Sequence, residues 1–247
     1  VAKKYKKPID GHAPGLMGHE AKRYIEAGIS TDHECFKLEE AQNKLKHGMK
    51  VIIREGTAAK NFNALHPVIK SHPEIVIFCS DDKHSDDLVK SHINALVERA
   101  MKLGYDKMDL LRCASYNPVK HYGLDVGLLQ VGDPADFIIV PSLENLKPTH
   151  TYINGQLVAK DGKTLIPSVP ISVINNFSCE KKKPSDFEVQ TNGDNIQIIG
   201  AIDGELITKS LQGKALKDKN GNLISDVGND VLKMAVVNRY QNAKPAI

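Results

Sequence analysis

Short apolar runs that alternate with helical periodicity fill the first half of the chain and constrain its fold most. Strand-like runs are predicted at residues 7–10, 29–33, 50–54 and 74–80, and a helical segment follows each of them. The fourth run, EIVIFCS, is continuously apolar, which is typical of a strand buried on both faces of a parallel sheet. The alternation predicts a parallel sheet with crossover helices. Four such units over residues 1–122 amount to half of a (β/α)₈ barrel, which runs to about 250 residues.

The composition changes after about residue 123. Short β-like runs there are separated by turn signals, among them Asn154-Gly155, which is typical of a β-hairpin. We therefore predict a small all-β module, then a proline-containing connector, and then a further segment with strand-like runs.

Charge and composition exclude several classes of function. The formal net charge is only +3 and aromatic residues make up 5% with no Trp, which argues against a nucleic-acid partner. No apolar run approaches the ~20 residues that a membrane span needs. The four cysteines form no C-x-x-C pair, so we interpret them as reduced thiols and expect a cytoplasmic location.

Polar clusters follow three of the predicted strands: residues 10–15 (DGHAPG), 30–34 (STDHE) and 79–83 (CSDDK). Barrel enzymes place catalytic groups at the carboxyl ends of their strands. Two imidazoles and a carboxylate from separate strand ends are a plausible ligand set for Zn²⁺, Fe²⁺ or Mn²⁺.

Each of these features also has a plain structural interpretation. A single histidine among ten is more often a surface or capping residue than a ligand, but His12 and His33 occupy equivalent positions in successive βα units. Glu34 is either a general base or the start of the next helix, where a carboxylate suits the helix dipole. Arg54 and Glu55 either line the pocket or form a solvated ion pair beside a helix N-terminus.

Several motifs, taken in order, resemble adenine deaminases of the amidohydrolase superfamily: DGHAPGL (10–16), GISTDHE (28–34), IREG (53–56) and IFCSDD (77–82). Downstream, CASYNPVKHYGL (113–124) and GLLQVGDPADFIIV (127–140) are similar to the passage in which that superfamily leaves the barrel and enters a small β-sandwich. VPISVINNF (169–177) looks like part of the family's C-terminal domain.

The resemblance implies an α/β fold made of three parts. These are the second half of a (β/α)₈ TIM-type metallohydrolase barrel over 1–122, a small β-sandwich over 123–168 and part of an α+β C-terminal domain over 169–247. The superfamily's His-x-His pair and its bridging carboxylate are absent from the chain. We therefore expect an enzyme fragment without the first half of the barrel and without the C-terminal end.

The implied activity is hydrolytic deamination of adenine to hypoxanthine and ammonia, with a divalent transition metal as cofactor, Mn²⁺ or Fe²⁺, or alternatively Zn²⁺. The resemblance assigns the following site residues: metal ligands His12, His33 and Asp81, catalytic Asp81 and Glu34, and substrate-binding Arg54 and Glu55. Asp82 is an alternative to its neighbour Asp81 as the carboxylate of the metal site.

Two other functions remain open. The first is a different amidohydrolase, acting on cyclic amides or on N-acetylated sugars. The second is a non-catalytic half-barrel remnant that serves as a binding module. For a full-length enzyme we expect adenine as the small-molecule partner, no nucleic-acid or membrane partner, and a homo-oligomeric state.

Overall fold

The computed structural model describes residues 1–205 and 207–247, which fall into two compact units. The first unit comprises Val1–Pro167 and the described part of a short loop at 203–206. The second comprises Ser168–Ile202 and Ile207–Ile247.

A four-stranded parallel sheet organises the first unit, as the alternation predicts. Its strands lie in sequence order and are β1 (Asp10–Gly11), β2 (Thr31–Asp32), β3 (Lys50–Arg54) and β4 (Ile77–Cys79). Thr31 pairs with Asp10 on one side and with Lys50 on the other, and Arg54 pairs with Cys79. All four strands therefore end at the same edge of the sheet.

Helices connect and follow these strands. They are α1 (Gly18–Glu26), α2 (Leu38–Lys46), α3 (Phe62–Leu65), α4 (Val68–Ser71), α5 (Ser85–Leu88), α6 (Ile93–Lys102), α7 (Lys107–Leu111) and α8 (Asn117–Tyr122). A π-helical turn, Arg112–Tyr116, joins α7 to α8. Gly123 follows α8 with φ of 57°, a left-handed conformation that favours glycine and ends the helix.

The core of this unit lies against β3 and β4. Val51, Ile53 and Val76 are fully buried, and they belong to one apolar cluster with Leu45 of α2 and Ala100 of α6. β3 lies between two other strands and is apolar throughout its centre, so it is the best-buried strand and fixes where its carboxyl end lies.

Residues 123–164 form one antiparallel layer, which differs from the expected β-sandwich. Its strands, in spatial order, are β5 (Phe137–Ile139), β6 (His150–Ile153), β7 (Gln156–Lys160) and β8 (Lys163–Thr164). The Asn154-Gly155 turn joins β6 to β7, as predicted. Four strands of two to five residues suffice for a single layer but not for two packed layers.

The second unit is built around a hairpin of β9 (Asn195–Gly200) and β10 (Lys209–Lys214). Its described residues contain no α-helix, so the helical part of the α+β expectation for 169–247 is not met there; residue 206 of that predicted segment lies outside the described residues. The run 231–240 is rich in β-branched valine, which disfavours helix. Val236 instead exchanges two backbone hydrogen bonds with Ala246.

Within the described residues, none of the helices combines the length and the apolarity that crossing a bilayer requires. All four cysteines are free thiols. Cys35 and Cys113 are buried, and Cys179 is exposed. Burial raises the pKa of the Cys79 and Cys113 thiols to about 12. It also raises the pKa of Cys35, where the nearby Asp32 carboxylate acts in the same direction.

Thiol labelling tests this difference in environment. At pH 8 we expect a disulfide reagent such as Ellman's reagent to modify one thiol rapidly, Cys179, because the other three are shielded and carry little thiolate. Absorbance of the released thiolate measures the stoichiometry. Cys179→Ser is expected to remove the fast phase, and the urea-unfolded chain should release four equivalents. More than one fast equivalent in the folded chain would contradict the burial of Cys35 and Cys113 and the partial shielding of Cys79.

Candidate metal centre

The predicted site residues lie along the carboxyl edge of the parallel sheet. His12 follows β1, His33 and Glu34 follow β2, Arg54 is the last residue of β3, and Asp81 comes two residues after β4. Because the four strands are parallel and in register, residues distant in sequence meet at this edge.

The two imidazoles lie side by side with one carboxylate. The ring centroids of His12 and His33 are 4.3 Å apart, and the rings are nearly perpendicular. Glu34 Oε1 is 3.3 Å from His12 Nδ1 and 3.5 Å from His33 Nε2. The possible ligand atoms of these three residues all lie within 4.8 Å of one another. Two imidazole nitrogens and a carboxylate oxygen at this spacing suit a divalent transition metal.

An unpartnered nitrogen at this cluster fits a cation. His33 Nε2 is buried, and within residues 1–205 and 207–247 it has no hydrogen-bond partner. A buried polar atom without a partner costs free energy, and a bound cation would satisfy it. The donor set and this orphaned atom therefore agree with the metal that the sequence predicts.

Arg54 joins the two acids of the site. Its Nη1 donates to Glu34 Oε1 and to Asp81 Oδ2, both at 2.7 Å, and its Nη2 donates to Glu34 Oε2 at 3.1 Å. Burial on its own would lower the pKa of Arg54, but the carboxylates of Glu34 and Asp81 raise it above its ordinary value. Arg54 is only 4% exposed, so its guanidinium acts here by fixing the two carboxylates.

Asp81 and Asp82 point to different surroundings. Asp81 has a left-handed backbone (φ 41°) and reaches Arg54, and 38% of its side chain is exposed. Asp82 Oδ2 instead accepts a hydrogen bond from Ala58 N at 3.1 Å. A Cβ added to Gly56 would lie 1.7 Å from Asp82 Oδ1, so glycine is needed at position 56 for this close approach. Of the two aspartates, Asp81 lies with the histidine cluster through Arg54.

Glu55 lies apart from the histidine cluster. Its Oε2 accepts a hydrogen bond from Arg99 Nη1 at 3.0 Å, and its Oε1 accepts one from Phe62 N at 3.3 Å. The structure thus brings together five of the six predicted residues, directly or through Arg54. Glu55 faces a neighbouring cavity instead.

A buried ammonium group lies beneath the two histidine loops. Lys44 Nζ, on α2, donates to Asp32 Oδ2 and to Ala13 O, both at 2.5 Å, and to Glu40 Oε1 at 2.7 Å. Lys44, Asp32 and Glu40 are each at most 1% exposed. Because Ala13 follows His12 and Asp32 precedes His33, this one side chain connects both loops.

Asp32 and Glu40 also bind the two histidine loops directly, through backbone amides. Asp32 Oδ1 accepts from Ala13 N at 3.2 Å and from Glu34 N at 3.0 Å. Glu40 accepts from Gly15 N at 2.7 Å. Burial on its own would raise the pKa of Asp32, but hydrogen bonding and charge from Lys44 hold it below its ordinary value. Burial would lower the pKa of Lys44, and the carboxylates of Asp32 and Glu40 raise it instead.

The sequence reasoning missed this ionic cluster. Glu40 and Lys44 are four residues apart on α2, a spacing that places them on one helix face. That signal is common on exposed helices and gives no indication of burial. Asp32 lies inside the STDHE motif, but its neighbours His33 and Glu34 drew the functional interpretation.

Comparison with known proteins adds independent information. The model of the amidohydrolase family matches residues 1–158. An adenine deaminase of Salinibacter ruber is 50% identical over 242 residues, which cover 98% of this chain and 44% of that protein. An adenine deaminase of Sulfurovum sp. is 51% identical over 246 residues, or 100% of this chain and 44% of that protein. The resemblance inferred from the motifs is confirmed, and the chain spans less than half the length of these relatives.

One solved structure shares the fold. A β-aspartyl dipeptidase of Fervidobacterium islandicum AW-1 superposes with a TM-score of 0.50 at 14% identity, covering 68% of this chain and 52% of that one. At this identity the match supports the fold alone.

Removal of the buried ammonium group tests the ionic cluster. Lys44→Met leaves Asp32 and Glu40 as uncompensated buried carboxylates, so we expect a loss of about 3–5 kcal/mol in the free energy of unfolding. Urea denaturation with labelling of the buried Cys35 thiol measures it locally. Lys46→Met, at an exposed position of the same helix, is the matched control and should stay within about 0.5 kcal/mol of the parent. Equal effects of the two substitutions would contradict a stabilising role of Lys44.

Proposed function

This chain belongs to the amidohydrolase family, and we propose that it forms the second half of the barrel of a metal-dependent adenine deaminase. The observation that carries the proposal is the meeting of His12, His33 and Glu34, with the buried His33 Nε2 lacking a partner among the described residues. The identity of about half the residues with curated adenine deaminases supports the choice of substrate.

We propose that His12, His33 and a neighbouring carboxylate hold a divalent cation, Mn²⁺, Fe²⁺ or Zn²⁺. Such an ion, when bound, lowers the pKa of a water molecule toward neutrality and so supplies a nucleophile for hydrolysis. Glu34 lies between the imidazoles, and Asp81 is the predicted further ligand.

Arg54 is proposed to set the positions of the two acids. Its guanidinium holds Glu34 with both oxygens and Asp81 with one. Asp81 is the more exposed of the two acids, at 38% against 13% for the side chain of Glu34. Asp81 is therefore the better candidate to accept a proton from water and return it to the purine or to the departing amine.

The proposed reaction replaces the exocyclic amine of adenine by oxygen. Water adds at C6, the C6–N bond breaks, and the products are hypoxanthine and ammonia. Adenine as a free base does not have to be flipped out of a nucleic-acid duplex, so the enzyme needs no basic surface for nucleic acid. The near-neutral charge of the chain agrees with such a substrate.

The chain spans 44% of its curated relatives, and it contains no His-x-His pair. We propose that the remaining ligands come from the part of the barrel that lies outside this sequence in those relatives. The chain by itself is then expected to bind a cation weakly and to lack deaminase activity.

A graft tests the proposal. The residues of this chain that align with the Salinibacter ruber enzyme replace the matching segment of that enzyme, and ammonia release from adenine is measured with Mn²⁺ or Fe²⁺. The graft is expected to be active and the chain alone inactive. His33→Gln in the graft is expected to lower kcat/KM by about 100-fold or more. Loss of a residue that only hydrogen-bonds to a metal ligand typically costs about 10- to 100-fold in activity, and loss of the ligand itself should cost more.

The matched control is His19→Gln, at an exposed position of α1, which should retain full activity. A graft that ignores adenine but hydrolyses a cyclic amide or an N-acetylated sugar would favour the other amidohydrolase function. Robust deamination by the isolated chain would overturn the need for the missing half of the barrel.

A further inference from the structure

A small cavity lies at the carboxyl end of the same sheet and has no role in the function proposed so far. It measures about 130 Å³ and lies where β3 and β4 end and α6 begins. Glu55 and Ser80 belong to its lining. Glu55 directly follows Arg54, and Ser80 directly precedes Asp81. The cavity therefore lies at the same two strand ends as the Arg54–Asp81 ion pair.

The lining of the cavity combines apolar surface with hydrogen-bonding groups, and it also includes three charged side chains: Glu55 and its ion-pair partner Arg99, and Lys83. Ile93, Ala95 and Leu96, from the first turn of α6, supply the apolar part. Ser80 and His92 supply polar groups on the side of β4. A flat heterocycle needs this combination, because its faces are apolar and its edge carries donors and acceptors.

His92 is suited to recognising such an edge. Its Nε2 is 2.9 Å from Ser80 Oγ, which fixes the ring beside the hydroxyl. Burial lowers the pKa of His92, and the nearby Lys83 acts in the same direction, so the imidazole is neutral at pH 7. A neutral imidazole bound through one nitrogen offers the other for a ligand. The residues that the structure describes provide no partner for His92 Nδ1.

The size of the cavity narrows the class of ligand. Pockets for drug-sized ligands measure about 300–1,000 Å³, and this one is well below that range at about 130 Å³. A single fused ring system is of suitable size, whereas a nucleoside with its ribose is larger.

We propose that this cavity holds the purine ring of the substrate, with the Ser80–His92 pair hydrogen-bonded to a ring nitrogen. The inference rests on the proposed function and adds the residues that select the base. Ser80 directly precedes Asp81 in the chain, so a ring bound beside Ser80 lies at the strand end that also carries the acid proposed to move the proton. Ser80 and His92 are then specificity-determining residues rather than groups that carry out the reaction.

Histidine-selective NMR on the full chain tests this inference. The chain carries [¹⁵N]histidine, and adenine is titrated while the imidazole signals are recorded. The His92 signals are expected to shift saturably, and those of the exposed His19 should stay unchanged. His92→Phe keeps a ring of similar shape without nitrogens, and Ser80→Ala removes the hydroxyl; each should weaken adenine binding by about three- to tenfold.

The outcomes separate this inference from the proposed function. Unmoved His92 signals, or unchanged adenine affinity in both variants, would overturn the inference even if the grafted enzyme deaminates adenine. A saturable shift at His92 together with a graft that leaves adenine intact would keep the binding pocket and refute the deaminase. Far-UV circular dichroism of both variants should match that of the parent, since neither residue is in the buried core.

Discussion

The arrangement of the candidate metal centre depends on the buried ammonium group of Lys44. β1 and β2 have only two residues each, so their own ladder contributes few hydrogen bonds to hold the loops that follow. Lys44, Asp32 and Glu40 provide the missing constraint, because together they bind the backbone on both sides of the histidine pair. Removal of one member of such a cluster destabilises the fold, because it leaves a buried charge unpaired. Compared with a well-packed apolar core, however, the complete cluster provides a defined geometry rather than extra stability, since burying its charges costs desolvation free energy.

The charges around the site also favour a cation. Lys44 carries one positive charge against the two negative charges of Asp32 and Glu40, and Arg54 carries one against those of Glu34 and Asp81. Each cluster therefore retains one negative charge beside the two histidines. Low exposure strengthens the resulting field, since few waters screen it. Arg54 thus has two effects: it prevents the acids from repelling each other, and it leaves enough negative potential for a divalent ion.

The sequence predicted the parallel sheet and the meeting of distant residues well, because both follow from periodicity and from where strands end. It identified His12 and His33 from their equivalent positions, but it could not reveal that Glu34 lies closer to both rings than Asp81 does. Arg54 holds both acids in these positions, and its side-chain direction depends on tertiary packing. Lys44 was missed because burial of a charge leaves no local pattern. The expected sandwich over 123–168 and α+β domain over 169–247 differ from the single four-stranded layer and the hairpin unit that the described residues form, because short β-like runs do not specify how layers pair.

The contact between Asp82 and Gly56 constrains how this site can change over generations. A side chain at position 56 would collide with the carboxylate at position 82 as it is placed now. A lineage that acquires alanine at 56 must therefore move or shorten the side chain at 82, whereas residue 82 can shorten while glycine stays at 56. The two loops that border the carboxyl edge of the sheet are thus expected to drift in a fixed order, with position 82 changing before or together with position 56, which limits the mutational paths open to this scaffold.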